Sequence, residues 1–111
     1  PVDDAALVAM AHLGGGAVGG ERILSSESAA QMQQIVTEGK RFDLGLGWFR
    51  PHRDSKRGRT YVEHLGGGGG YGTLMRLYPE RGVGVVVMAN VSSQRFKPDA
   101  LLEAVEQGRN P

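Results

Sequence analysis

The chain has 111 residues, enough for one small domain that buries roughly two-thirds of the surface its unfolded form exposes. Its 13 basic and 12 acidic residues leave a net charge of +1, too even a balance to make nucleic acid or anionic lipid the main partner. Cysteine is absent, which excludes disulfides and thiolate metal sites, and the longest apolar run, Val83 to Ala89, is far too short to span a bilayer. No signal peptide is visible, and a start at Pro1 without methionine reads as a processed product or an excised piece of something longer.

Asp3 to Leu13 reads as a helix. Ala6, Met10 and Leu13 recur at helical spacing with Leu7 beside them, Asp3 and Asp4 suit its positive end, and Gly14-Gly15-Gly16 stops it. His12, near the end of that helix, is expected to complement the dipole. After a short glycine-rich connection, Ser25 is a good N-cap for a second helix with Glu27 in its first turn. Its apolar face is Ala29, Met32 and Val36, and Gly39 is its expected end. From Leu44 the period changes to two, and Leu44, Leu46 and Trp48 predict a strand. Arg50, His52, Arg53, Lys56, Arg57 and Arg59 form the one basic cluster, expected in a solvated loop over Pro51 to Gly58. Thr60 to Leu65 and Thr73 to Tyr78 are strand candidates, and Pro79-Glu80-Arg81-Gly82 is turn chemistry. Val83 to Ala89 is continuously apolar, as expected for a strand buried on both faces. A last helix begins near Pro98, with Leu101, Leu102 and Val105 as its stripe. Helices and strands segregate along the chain and the strands follow one another closely, so the class is α+β with an antiparallel sheet. No linker divides residues 1–111, which read as a single segment.

The segment Glu63-His64-Leu65-Gly66-Gly67-Gly68-Gly69-Gly70-Tyr71-Gly72 raises the functional question. A flexible loop between two strands is the simplest reading. Gly67, Gly69 and Gly72 fit GxGxxG, but a nucleotide site needs a helix opening at the last glycine, and the next residues have a strand pattern instead. His12, His52 and His64 show no paired spacing, so no metal site is expected. The remaining reading uses the bare main chain: without Cβ atoms, a strand can bring N–H groups against a substrate carbonyl, half of an oxyanion hole, with the histidine as a donor or positive charge.

Several stretches, in order, resemble one family. Pro1-Val2-Asp3-Asp4-Ala5-Ala6-Leu7 is similar to a family helix start. Gly19-Gly20-Glu21-Arg22-Ile23-Leu24-Ser25-Ser26-Glu27-Ser28 with Met32 is similar to G-x-R-[IL]-L-S-P-E-S…M. Leu44-Gly45-Leu46-Gly47-Trp48 resembles YGLGW with leucine for tyrosine, and His64-Leu65-Gly66-Gly67 resembles H-x-G-G. Leu77 to Asn90 resembles P-x-x-G-x-G-V-V-V-L-x-N. The chain thus resembles the C-terminal part of a β-lactamase-related serine hydrolase, a family of class C β-lactamases, D-alanyl-D-alanine peptidases, D-aminopeptidases and esterases. The resemblance implies the C-terminal portion of the β-lactamase/transpeptidase-like fold, an antiparallel sheet with flanking helices. It puts His64 at the basic position of the third catalytic motif and the Gly67 N–H as oxyanion donor, with Leu65, Gly66 and Gly68 against the substrate.

The chain departs from the family most in its nucleophile. The family's nucleophile is a Ser-x-x-Lys serine with a Tyr-x-Asn or Ser-x-Asn partner, because a free hydroxyl is a poor nucleophile at neutral pH. None of Ser25, Ser26, Ser28, Ser55, Ser92 and Ser93 has lysine three residues later, and neither partner motif occurs. In the family both lie upstream. The resemblance therefore implies about the last third of an acyl-enzyme hydrolase of amides or esters, without a cofactor, acting on a small molecule or peptide. The other reading is a non-catalytic remnant acting as a binding module. Either way the chain is expected to self-associate or to pair with an N-terminal segment.

Overall fold

The computed structural model describes residues 2–108. The elements are α1 (Val2–Leu13), β1 (Ala17–Val18), β2 (Glu21–Arg22), α2 (Ser26–Gln33), β3 (Phe42–Leu44), β4 (Phe49–Pro51), α3 (His52–Lys56), β5 (Val62–Gly67), β6 (Gly72–Tyr78), β7 (Val83–Ala89) and α4 (Asp99–Glu106). Strands β3-β4-β5-β6-β7 form one antiparallel sheet in chain order, and β1 and β2 form a separate hairpin. The α+β class and the antiparallel sheet are therefore as the sequence implies.

The sheet is sandwiched. Paired residues share a face, so Val62, Leu77 and Gly84 line one side and Glu63, Arg76 and Val85 the other. On the first side α1 packs Ala9 and Leu13 against Val62, Leu77, Met75 and Val86, with Trp48 closing the core. The contact is close because small groups meet: a Cβ on Gly84 would lie 3.5 Å from Ala9 Cβ and 3.0 Å from Leu13 Cδ1. That seating corrects the expected stripe of α1 at Leu7 and Met10. Leu13 packs on the core as expected, but Ala9 and Ala11 are buried, whereas Leu7 and Met10 are about half exposed. His12 differs as well. It packs edge-on against Trp48, with ring centroids 5.1 Å apart, and burial lowers its pKa.

Ser25 caps α2 as expected, accepting a bond from the Ser28 N–H at 3.0 Å. The helix stops at Gln33 rather than Gly39, because the N–H groups of Val36 and Thr37 donate to the Leu44 carbonyl and the chain runs extended there. Val36 consequently lies outside the helix and is exposed. The single strand expected at Leu44–Trp48 is instead the turn of the β3–β4 hairpin. Gly45 N–H donates to Trp48 O at 2.7 Å, and Gly47 has a φ of +84°, which its missing Cβ permits. Trp48 is buried while Leu44 and Leu46 are exposed.

The basic loop contains the short helix α3 and is only partly solvated. Arg50 donates to Ser55 Oγ and Tyr61 O, and His52 contacts the buried Asp43 at 2.9 Å. The Ser55 hydroxyl and the His52 ring hold the Asp43 carboxyl below the usual range. β7 is not buried on both faces. It is the edge of the sheet, and Met88 is exposed. Pro98 stands at the N-cap of α4, one position before its first residue.

Candidate functional site

The site grows out of the second half of β5. Strand β4 pairs with β5 at Phe49–Glu63 alone, so from His64 onward that side of β5 is an open edge. On its other side β5 pairs with β6 as far as Gly67–Gly72, and Gly68 N–H donates to Tyr71 O at 3.0 Å one step further. Hydrogen-bonded and non-hydrogen-bonded pairs alternate along an antiparallel ladder. Gly68–Tyr71 is bonded, so Gly67–Gly72 and Leu65–Leu74 are not. The N–H groups of Leu65 and Gly67 therefore point away from β6, into the open edge. A donor placed that way can meet a carbonyl oxygen arriving in the plane of the sheet.

The side chains divide by face. His64 lies on the α1 side with Met75 and Val86, and its ring packs edge-on to Phe49 with centroids 5.5 Å apart. It is otherwise exposed, beside a groove of about 360 Å³ that Gly66, Thr73 and Met88 also line. Leu65 and Gly67 lie on the α4 side. There an open pocket of about 470 Å³ is lined by Leu65, Gly67, Leu74, Phe96, Asp99 and Leu102, among others.

The glycines have tertiary reasons to be bare. A Cβ on Gly67 would fall 2.7 Å from Ser93 Cβ, and one on Gly72 would fall 2.6 Å from Phe96 Cβ. The two glycines oppose one another, so together they form a flat floor on which the connection after β7 lies. Ser93 N–H fixes it there by donating to Gly68 O at 3.0 Å. The space above Gly67 is thus filled from within the chain, and its main chain is approachable from the open edge. Gly69 and Gly70 meet nothing within 4 Å and are simply the turn.

Behind the pocket, α4 is tied to the sheet by charge. Arg76 contacts Glu63 at 2.7 Å and Glu106 at 3.2 Å, while Arg59 and the Tyr78 hydroxyl each donate to Glu106 at 2.7 Å. The Arg76 guanidinium stacks 3.9 Å from the Tyr61 ring centroid, and the Tyr61 hydroxyl donates to Asp54. Burial raises the Glu63 pKa against the pull of Arg76. Burial also pushes Glu106 up, but the Tyr78 hydroxyl and the Arg59 guanidinium outweigh it and hold its carboxyl below the usual range.

All five residues singled out in the sequence, His64, Leu65, Gly66, Gly67 and Gly68, therefore lie on β5 and its exit. Ser93, Phe96, Asp99 and Leu102 complete the pocket and were not legible as site residues. They lie far along the chain, and their one local signal is Pro98, which marks the start of α4 but not where that helix packs.

A sequence model of the beta-lactamase family matches residues 2–108, every residue that the structure describes. The chain belongs to the beta-lactamase family. The β-lactamase-related serine hydrolases are thus its family, and the antiparallel sheet with flanking helices is consistent with a fragment of their fold. No curated protein matches it. Among the described residues no helix is long and apolar enough to cross a membrane.

Proposed function

We propose that this chain is the C-terminal part of a β-lactamase-like domain in a serine hydrolase that cleaves an amide or ester through an acyl-enzyme. The observation that carries this reading is the Gly67 N–H, aimed from β5 into an open edge, and His64-Leu65-Gly66-Gly67 resembles the family's third motif. A segment preceding this one supplies the nucleophilic serine. Its Oγ attacks the carbonyl, its proton passes to a neighbouring base, and the carbonyl oxygen becomes an oxyanion that accepts a hydrogen bond from Gly67 N–H. Such a donor strengthens its bond as charge develops, and one of them is worth roughly 10²–10³ in rate. His64 supplies a donor or positive charge at the same strand. The leaving amine or alcohol takes the proton, and water then hydrolyses the acyl-enzyme.

The absence of a Ser-x-x-Lys among the 111 residues favours a second reading, a binding module without catalysis. One experiment separates the two. The chain is fused behind a family segment carrying Ser-x-x-Lys and Tyr-x-Asn, and p-nitrophenyl ester hydrolysis is measured. The hydrolase reading expects turnover that a serine-directed phosphonate abolishes. A folded fusion with no turnover above buffer leaves the binding module.

The partner of the chain by itself is proposed to be a second copy. The outer edge of β7 has no strand beside it among the described residues, and Val83 to Ala89 carries no charge or proline to protect it.

A further inference from the structure

The pocket beside Gly67 has a chemical character that oxyanion stabilisation alone does not explain. Leu65, Leu74, Phe96 and Leu102 give it apolar walls, and among the described residues no lysine, arginine or histidine lines it. The two charged residues among them are both carboxylates. The Glu63 side chain is 5% exposed and its charge is matched by Arg76 at 2.7 Å. Asp99 is exposed, in the first turn of α4, where its charge offsets the positive helix end that would otherwise attract an anion.

These features discriminate between ligands. A hydrocarbon or aryl group loses water contact against the apolar walls, which is favourable by about 25 cal/mol for each Å² buried. A carboxylate entering the same space gives up its hydration with no cation to replace it, and meets Asp99 as a like charge.

Resting on the reading of Gly67 as a carbonyl-facing donor, we propose that this pocket takes an uncharged apolar group of the substrate and that Asp99 selects against a carboxylate there. The substrate class is then an ester or amide whose group next to the scissile carbonyl is apolar and uncharged on the α4 side. Leu65 and Phe96 are its contact residues, and Asp99 sets the charge preference.

Saturation-transfer difference NMR on the 111-residue chain, a method that tolerates self-association, tests this with phenylacetamide and phenylacetate, two probes of nearly equal size. Phenylacetamide is expected to bind at least about tenfold more tightly, the unpaired carboxylate being the disfavoured species. Asp99→Asn is expected to narrow that gap, and Leu65→Trp, at a half-exposed position where folding tolerates bulk, to weaken phenylacetamide by filling the pocket. Equal binding of the two probes, a gap unchanged in Asp99→Asn, or phenylacetamide binding unaffected by Leu65→Trp would each overturn the proposal. These measurements need no nucleophile, so they stand or fall independently of ester turnover by the fused chain.

Discussion

His64 and Gly67 sit three residues apart on one strand, yet they work through different atoms: a side chain on the α1 face and a main-chain N–H in the plane of the sheet. In the fused hydrolase His64→Ala is expected to lower kcat roughly 10²-fold, the scale of losing one positioned polar group. The melting temperature should hardly move, because the His64 side chain is exposed and only edges against Phe49 among the described aromatic residues. An unchanged kcat/KM would make His64 a structural residue. The glycines give a sharper contrast. Gly72→Ala drives a Cβ into Phe96 and is expected to cost about 1–3 kcal/mol by overpacking. Gly69→Ala points into open space and should be near neutral. Thermal denaturation of the two variants checks whether the glycine run serves packing at its ends and only a turn at its middle.

At the scale of elements, α4 is held to the sheet by Glu106, which accepts from Arg59, Arg76 and Tyr78. Its folded pKa is depressed, so the stability it contributes is present above its unfolded pKa and is lost as pH falls through the folded one. Asp43 carries the same sign through Ser55 and His52. Glu63 has the opposite sign: burial raises its pKa, so acidification relieves an unfavourable buried charge. Denaturant midpoints across the acid range should therefore fall for the parent chain, and fall less steeply in Glu106→Gln. A steeper acid limb in that variant would show that Glu106 does not anchor α4. Arg76→Ala should be far more damaging, about 3–5 kcal/mol, because it leaves Glu63 buried and unpaired.

At the scale of the whole molecule, apolar surface remains without a partner. Among the described residues the outer backbone edge of β7 has no strand beside it, and Leu7, Val8 and Met10 project from α1, each about half exposed. An uncovered strand edge next to apolar surface is a template for another chain. Light scattering at micromolar concentration is expected to show self-association of the 111-residue chain. A monomer with slow amide exchange over Val85 to Met88 would contradict it, since protection there needs no second copy. The same isolated chain should hydrolyse neither a chromogenic cephalosporin nor a p-nitrophenyl ester above buffer. An oxyanion donor without an attacker retains little catalysis. Phosphonate-sensitive turnover by the pure chain would refute that.

The sequence by itself determined the elements whose signals are local. Asp3, Asp4 and the triple glycine bracket α1, Ser25 caps α2, and Pro79 to Gly82 separate two β-branched or apolar strands. It also put the five candidate residues His64 to Gly68 on one contiguous stretch, because adjacent residues stay together in any tertiary arrangement. Only the tertiary structure decided the rest. The period-two pattern of Leu44, Leu46 and Trp48 became a turn, because Gly47 could adopt a positive φ and β3 found β4 across it. Ala9 and Leu13 rather than Met10 face the sheet, because the helix is seated over the bare main chain of Gly84. β7 reads as a central strand but lies at an edge, since its neighbours are a property of the sheet and not of its own composition. The pocket wall of Ser93, Phe96, Asp99 and Leu102 exists because two opposed glycines leave room for a distant connection to lie down. Local periodicity cannot encode that proximity.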